Sequence, residues 1–571
     1  MPRRAWPRGR AGATVVATVL SALALACPGS GKNGQKTPEG GAPATITVFA
    51  LAEVRGQIEP CGCTTDPMGD LARTARLIDD ARAAGPVVVL DAGGLLYSKN
   101  PVPDDLVAQE ELKADLLVDS YRDNLKVAAI GLGASDLARG PAQVRPARQA
   151  ANVSADAGVA LEAPHVIDAG GLRIGVLGVV APEQAPGLPA GAVGDPVEAA
   201  RQAVATLAAS KPDVVIALLS MSRRDAAKLL KVVPGIQLAV LGMGREAPEP
   251  AAVGPRAEPV GDAWMVVPGN RGQVVSRLEL TVRGGGPLTD AIGAGAAAQL
   301  GAELDARIDA AAKELAGFQA DATADPAFVA QKQQELAAMR AERKALDDQP
   351  LRIPAAGSWF TLTQVKIRKD LACDAAVQDA KLAYDHAAGE ANVAAAKLQT
   401  VPPPPPGKAG YVGVEECATC HAKEATFWEQ THHAQAFATL EQVGKQFDYE
   451  CISCHVTGWN APGGAALDTE ELRNVQCEVC HGPGSLHAEA ENDADFRKTI
   501  VRAPAAELCA QQCHTAEHSD TFDYEAYLRD VTGPGHGGKR RKELGDGPTG
   551  HELRAAGLAK AGKEIGAGCR K

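Results

Sequence analysis

The sequence is short of aromatic side chains: Phe, Tyr and Trp make up only 4% of its 571 residues, while 60 Gly and 38 Pro are spread along it. Aromatic residues normally supply much of a core's apolar area. The interior must therefore be filled by Ala, Val and Leu, or by a group that the chain does not encode. Positive charge is also in deficit, with 58 Lys and Arg against 70 Asp and Glu and a pI of about 5.6. That balance argues against a nucleic-acid partner, because phosphate binding needs clustered cations. Cysteine and histidine are nearly absent from most of the chain, since nine of the 13 Cys and ten of the 12 His lie beyond Pro406. What is present suffices for folding: 45% of the residues are hydrophobic, and the length allows about three domains.

Residues 1–26 read as an export signal, with Arg3, Arg4, Arg8 and Arg10 as a basic start and residues 11–26 as an apolar stretch of small and aliphatic side chains. The stretch is too short for a lasting membrane span. Its end, Leu23-Ala24-Leu25-Ala26-Cys27, resembles a bacterial lipoprotein signal, which implies that Cys27 is the lipid-bearing first residue of the mature chain. Ordinary secretion with Cys27 uninvolved is the alternative. Either reading gives an exported protein, periplasmic or associated with the outer membrane, with residues 27–43 as a tether.

Short aliphatic runs over residues 45–50, 87–91, 127–131, 173–180, 213–220, 238–242, 264–267 and 277–282 have the length and composition of strands. Helical stretches over 71–84, 110–124, 196–209 and 222–232 alternate with them. Residues 44–286 are therefore expected to form a layered α/β domain. Residues 287–401 read as a helical connector: Leu300, Leu304, Ile308, Ala311, Leu315 and Phe318 form one apolar stripe, and Asp325-Pro326 restarts a second helix. This pair reads as a helical hairpin, followed by a further helix over 374–398. The proline run at 402–406, within a linker over 402–410, favours an extended spacer and marks a domain boundary.

Beyond it, Cys417-Ala-Thr-Cys420-His421, Cys451-Ile-Ser-Cys454-His455 and Cys477-Glu-Val-Cys480-His481 repeat C-x-x-C-H, the attachment pattern of c-type haem. Cys509-Ala-Gln-Gln-Cys513-His514 is a fourth copy with one extra residue between the thiols. Two thiols a helical turn apart can each add to a haem vinyl group, and the next imidazole then sits below the iron. Zinc ribbons also use paired cysteines, but zinc has no use for a His after every second Cys. Disulfides likewise do not require it. Four macrocycles within residues 411–537 would supply the core that the scarce aromatics cannot. His433 and His487, then His518 and His536, are the choices for distal ligands, with an ordinary surface role as the alternative; His432 and His551 also remain. Cys373 and Cys569 receive no assignment, and residues 538–571, with Lys539-Arg540-Arg541-Lys542, read as a flexible basic tail.

Two family resemblances follow. Gly410-Tyr-Val-Gly413, Trp428-Glu-Gln-Thr-His-His433-Ala, Cys451-Ile-Ser-Cys-His-Val-Thr-Gly458, Cys477-Glu-Val-Cys-His-Gly-Pro-Gly484 and Cys513-His-Thr-Ala-Glu-His518-Ser resemble the multihaem cytochrome c-552/4 family. The resemblance implies a mostly helical, loop-rich domain whose stacked haems pass electrons, with His433 and His487 as distal ligands. Residues 44–286 look like the metallophosphoesterase domain of bacterial 5′-nucleotidases, an αββα fold. The resemblance rests on Gly69-Asp-Leu-Ala-Arg73, Leu90-Asp-Ala-Gly-Gly94, Pro164-His-Val-Ile167, Gly171-Leu-Arg-Ile-Gly-Val-Leu-Gly178 and Val233-Pro-Gly-Ile236. The family's metal ligands are replaced by Glu53-Val-Arg55-Gly56, Gly94, Ala134-Ser135-Asp136 and Gly242-Met-Gly-Arg245. A two-metal site needs those carboxylates and imidazoles, so phosphoesterase activity is expected to be absent. Pro60-Cys61-Gly62-Cys63 stands where the family builds its site. Similar exported proteins carry the same Cys-Gly-Cys, which implies redox thiols at Cys61 and Cys63; a local disulfide or a structural pair is the alternative.

The expectation is an exported multihaem c-type cytochrome that transfers electrons through three to four covalent haems. Its partners would be other redox proteins or a quinone-linked donor, and the membrane through the lipid anchor. The alternative is a reductase that acts on a small nitrogen or sulfur compound at a five-coordinate haem.

Overall fold

The aliphatic runs form two six-stranded sheets that stack face to face. The structure is a computed structural model describing residues 44–60, 64–284, 286–321, 325–467, 469–490, 496–515, 517–536, 538–562 and 569. The export signal, Cys27, the tether and the Cys61 and Cys63 pair lie outside the described residues.

The first sheet runs in the order Leu288–Asp290, Ser358–Lys366, Val274–Val282, Ala44–Leu51, Val87–Asp91, Ala129–Ile130. The second runs Glu258–Val260, Ala263–Val266, Leu238–Gly242, Val214–Ser220, Leu172–Val180, His165–Ala169. Parallel pairing dominates the centre of the second sheet. Strands buried on both faces read as continuous aliphatic runs, and alternate residues serve different layers. Ile46, Val48 and Leu90 face Ile174, Ile216 and Val240 between the sheets. Phe49, Leu51 and Val89 face the Leu71–Ala84 helix on one outer side. Leu177, Val215 and Leu219 face the Pro196–Ala208 and Arg223–Val232 helices on the other. The result is a four-layer αββα sandwich; the alternation of runs predicts a layered α/β domain, and the αββα order is what the family resemblance implies.

The stretch read as a helical connector holds more than helices. Ser358–Lys366 is a full strand that pairs antiparallel with Val274–Val282, and Leu288–Asp290 pairs with it in parallel. Phe360, Leu362 and Gln364 are buried while Trp359, Thr361 and Thr363 are half-buried, a period of two. The hairpin forms from Gly293–Ala320 and Pro326–Asp348, with the Asp325 side chain capping the second helix through the Ala327 N–H (2.8 Å). Phe318 and Phe328 meet edge to face at 5.1 Å.

The basic tail also differs from the flexible end expected over 538–571: it forms helices over Gly538–Leu544 and Gly550–Ala561. Thr549 and Glu552 make a reciprocal capping box, the Arg529 guanidinium donates to the Leu544 and Pro548 carbonyls, and the His551 N–H donates to Asp530. Cys373 and Cys569, which received no assignment, form a disulfide across 196 residues of chain. Pairing between such distant positions leaves no local pattern in a sequence.

The segment after the proline run is built from short helices joined by loops. The run itself lies against it, with the Gly463 N–H donating to the Pro402 carbonyl at 2.7 Å. Phe437, Tyr449, Ile452, Val456 and Leu472 join the same apolar cluster as Phe49, Ile78 and Leu117, so one core runs through both parts. Among the described residues no helix is long and apolar enough to cross a membrane.

Candidate functional site

Each Cys-His motif lies on a short helical turn: Cys417 in Gly413–Ala418, Cys451 in Tyr449–Ile452, the third motif in Cys477–His481 and Cys509 in Ala506–Gln512. At the first site the His421 N–H donates to the Cys417 carbonyl at 2.9 Å. At the fourth the His514 N–H donates to the Cys509 carbonyl at the same distance, and the Cys513 N–H shares that carbonyl at 3.3 Å. The extra residue is thus absorbed as a widened helical turn, and the histidine keeps its bond to the first cysteine.

The histidines that follow the cysteines are oriented through Nδ1. His455 Nδ1 lies 2.5 Å from the Ala436 carbonyl, His481 Nδ1 2.6 Å from the Val501 carbonyl and His514 Nδ1 3.1 Å from Ser519 Oγ. His421 Nδ1 lies 3.7 Å from the Glu424 carboxylate. A partner on Nδ1 fixes the ring and leaves Nε2 for a metal.

Two of the expected distal histidines lie near such rings. The ring centres of His421 and His487 are 6.4 Å apart, and those of His433 and His514 are 6.3 Å apart. A metal–imidazole bond of about 2 Å and roughly 1.2 Å from nitrogen to ring centre put two imidazoles on opposite sides of one iron about 6.4 Å apart. The spacing of both pairs fits an iron between them. Burial, with the neighbouring His514 and His432, pushes the His433 pKa down to about 4, so its imidazole is neutral at pH 7, the form that ligates a metal. His536 packs edge to face on Phe427 at 6.3 Å and feels the charge of His481. His518 lies near enough to act on Cys454. His432 and His551 stack on each other at 5.8 Å.

The cysteine side chains order the motifs in space. Cys417 and Cys477, of the first and third motifs, lie close enough to influence each other's ionisation, as do Cys454 and Cys513, of the second and fourth. Cys480 of the third motif feels Cys509 of the fourth. All eight cysteines, their four histidines and His433, His487, His518 and His536 line a single cavity of about 2990 Å³. A pocket for one small ligand is about 300–1,000 Å³, so this space admits several large groups, as four macrocycles require.

Glu478, inside the third motif, is a functional residue that sequence reasoning missed. Its buried carboxylate accepts from the N–H groups of Val412, Gly413 and Gly484 at 2.7–3.1 Å, which ties the first motif's helix to the third. A charged residue between the two cysteines was the available signal.

In the α/β sandwich, the carboxylates at the edge of the strands are turned inward. Glu53 accepts from the Gly244 N–H (2.9 Å) and from Arg55 Nε (3.1 Å). A Cβ on Gly94 would lie 2.6 Å from the Glu53 carboxylate, so Glu53 fills the space beside that glycine. Asp136 accepts from the N–H groups of Gly94, Leu95, Leu96 and Gly133 and pairs with the fully buried Arg148 at 3.0 Å. Asp91 accepts from the Gly93 N–H and the Tyr121 hydroxyl, and burial raises its pKa to about 7. Among the described residues no group of three or more His, Cys, Asp or Glu is arranged to hold a metal ion. The chain on either side of Cys61 and Cys63 is described: Glu59 and Pro60 line the large cavity, and Thr65 bonds Asp520 through its N–H (3.0 Å) and hydroxyl (2.6 Å).

The four Cys-His motifs of the carboxyl-terminal part, the attachment pattern of c-type haem, gather around one cavity beside the two-sheet sandwich. Residues 416–482 match the protein family described as "Cytochrome c554 and c-prime". Cytochrome c-554 of Nitrosomonas europaea is 33% identical over 119 residues, a match that covers 18% of this chain and 51%, about half, of that protein. The solved structure of the reduced state of that cytochrome matches at 30% identity over 15% of this chain and 49% of its own, with a TM-score of 0.14. The 5′-nucleotidase precursor from Thermus thermophilus matches at 19% identity over 70% of this chain and 68% of its own, with a TM-score of 0.39.

Proposed function

We propose that the protein is an exported electron carrier in which four haem c groups are bonded to Cys417 and Cys420, Cys451 and Cys454, Cys477 and Cys480, and Cys509 and Cys513. The single observation that carries this reading is the convergence of all four motifs on one cavity, with two histidine pairs at the spacing of trans ligands. Haem bound at these sites would supply one-electron chemistry. His421 with His487, and His514 with His433, would both ligate the iron at their sites, which would favour electron transfer over substrate binding there. The chain also supplies the order: neighbouring cysteines link the first motif to the third, the third to the fourth and the fourth to the second. Electrons entering at either end of that line would leave at the other.

The amino-terminal signal supports a lipid anchor at Cys27, and the partners are redox proteins or a quinone-linked donor. Cys61 and Cys63 are read as a redox dithiol, a reading supported by the Cys-Gly-Cys spacing. Closing that pair to a disulfide releases two electrons and two protons, and two ferric haems would take the electrons. The sandwich itself does not hydrolyse phosphate esters, because Glu53, Asp91 and Asp136 are committed to internal partners. Purified protein supplied with manganese or zinc should show no phosphate-ester turnover. Turnover abolished by substitution within residues 44–286 would overturn that part of the reading.

Haem staining after a denaturing gel tests the main claim, and the double variant Cys509→Ala with Cys513→Ala should lower the intact mass by one haem beyond the change in side chains. An unchanged haem count would remove the fourth site.

A further inference from the structure

The second attachment motif is held by the α/β sandwich as well as by its own segment. Glu450 directly precedes Cys451, and its carboxylate meets Lys113 Nζ at 2.5 Å and Ser98 Oγ at 2.6 Å. Lys113 comes from the Val107–Ser120 helix, is buried, and also pairs with Glu110 at 2.5 Å. Glu110 accepts from the Ser98 N–H at 2.7 Å. Asp448 caps the Tyr449–Ile452 helix through the Glu450 N–H, accepts from Gln109 Nε2 at 2.6 Å and reaches Lys445 at 3.3 Å. Lys445 continues to Glu59 (2.8 Å) and Asp385 (2.5 Å), and Lys381 joins Glu59 to Asp70.

Six carboxylates and three lysines thus form two adjoining sets of ion pairs beside Cys451, joined by the hydrogen bond from the Glu450 N–H to Asp448, and none of these side chains is more than 28% exposed. The excess is negative. Charges out of reach of solvent are weakly screened, and a neighbouring negative charge favours ferric over ferrous iron. Among the described residues, Lys113 is the cation that pairs with the carboxylate next to the motif's first cysteine. Burial opposes the ionisation of Glu450, but Lys113 and Ser98 outweigh it and hold its pKa at about 2. The pair therefore stays charged through the neutral range.

We infer that the sandwich sets the reduction potential of the haem attached at Cys451 and Cys454, with Lys113 as the positioning residue that offsets Glu450. This rests on reading the motifs as haem sites. It gives the nucleotidase-like part a role that needs no metal: it supplies a fixed charge pattern to one redox centre of the adjoining module.

Spectroelectrochemical titration of the matured full-length protein at pH 8 tests the inference. Lys113→Met should shift one of the resolved potentials downward, Glu450→Gln should shift that same potential upward, and the remaining potentials should stay in place. Lys113→Arg, which keeps the charge, should stay close to the parent. Opposite shifts from the two neutralising variants are a signature that a packing defect would not produce. Potentials that all stay in place, or variants that shift the potential in the same direction, overturn the inference. Should Lys113→Met fail to mature, the isosteric Glu450→Gln carries the test alone, and an unmoved or lowered potential contradicts it. Intact mass on the same samples separates the two claims: absence of a haem at Cys451 and Cys454 defeats the functional reading, whereas a haem of unmoved potential defeats only this one.

Discussion

Asp91 ends the second strand of the first sheet with no exposed surface, and its partners are the Gly93 N–H and the Tyr121 hydroxyl. Burial raises its pKa to about 7, whereas an unfolded chain returns it to about 3.9. Between those values the folded state binds the extra proton. Asp91 therefore contributes stability that is fully present below about pH 4 and is lost as pH rises to about 7, on the order of 4 kcal/mol in all. Asp91→Asn should remove this dependence. Urea unfolding at pH 4, pH 5.5 and pH 8 should show the gap between parent and variant changing by several kcal/mol; a constant gap would refute the assignment.

At the scale of elements, the disulfide between Cys373 and Cys569 fastens the end of the tail beside the helix that starts at Ala375. Cys569→Ser should lower unfolding stability by about 2–5 kcal/mol, visible as an earlier thermal transition, while the haem absorption bands stay unchanged. Bands that change would mean that the tail shapes the haem sites. The central strands and the long helices of residues 44–286 are legible in the sequence as aliphatic runs and helical stretches, whereas the edge strands His165–Ala169 and Glu258–Val260, which lack such runs, are not. The Ser358–Lys366 strand is not, although its alternation is plain in the burial pattern, because long helices flank it and it returns to a sheet begun some 300 residues earlier. The four Cys-His motifs are legible because their chemistry depends on local spacing. The pairing of His487 with His421 and of His433 with His514, the Glu478 tie and the Lys113–Glu450 contact are not, because each depends on where distant segments meet.

Across the whole molecule, one apolar core joins Phe49 and Leu117 of the sandwich to Tyr449 and Ile452 of the haem segment. The large cavity lies alongside it, and its walls include Lys99 and Arg271 of the sandwich. The scarcity of aromatics fits a fold in which porphyrins complete the interior, so the carboxyl-terminal segment should lose its helical circular dichroism when maturation is blocked by Cys→Ser at all eight positions. Electron paramagnetic resonance of the ferric protein should show low-spin, six-coordinate signals for the sites of His421 and His514. Substituting His487 or His433 should convert one low-spin signal to high-spin; a high-spin signal already present in the parent and unmoved by these substitutions would instead place an open coordination position there and favour the reductase reading. The most direct test of the account is the intact mass of the matured chain under denaturing conditions. Four haem masses that survive acidified acetone are expected; a colourless chain, or pigment that the solvent extracts, would contradict it.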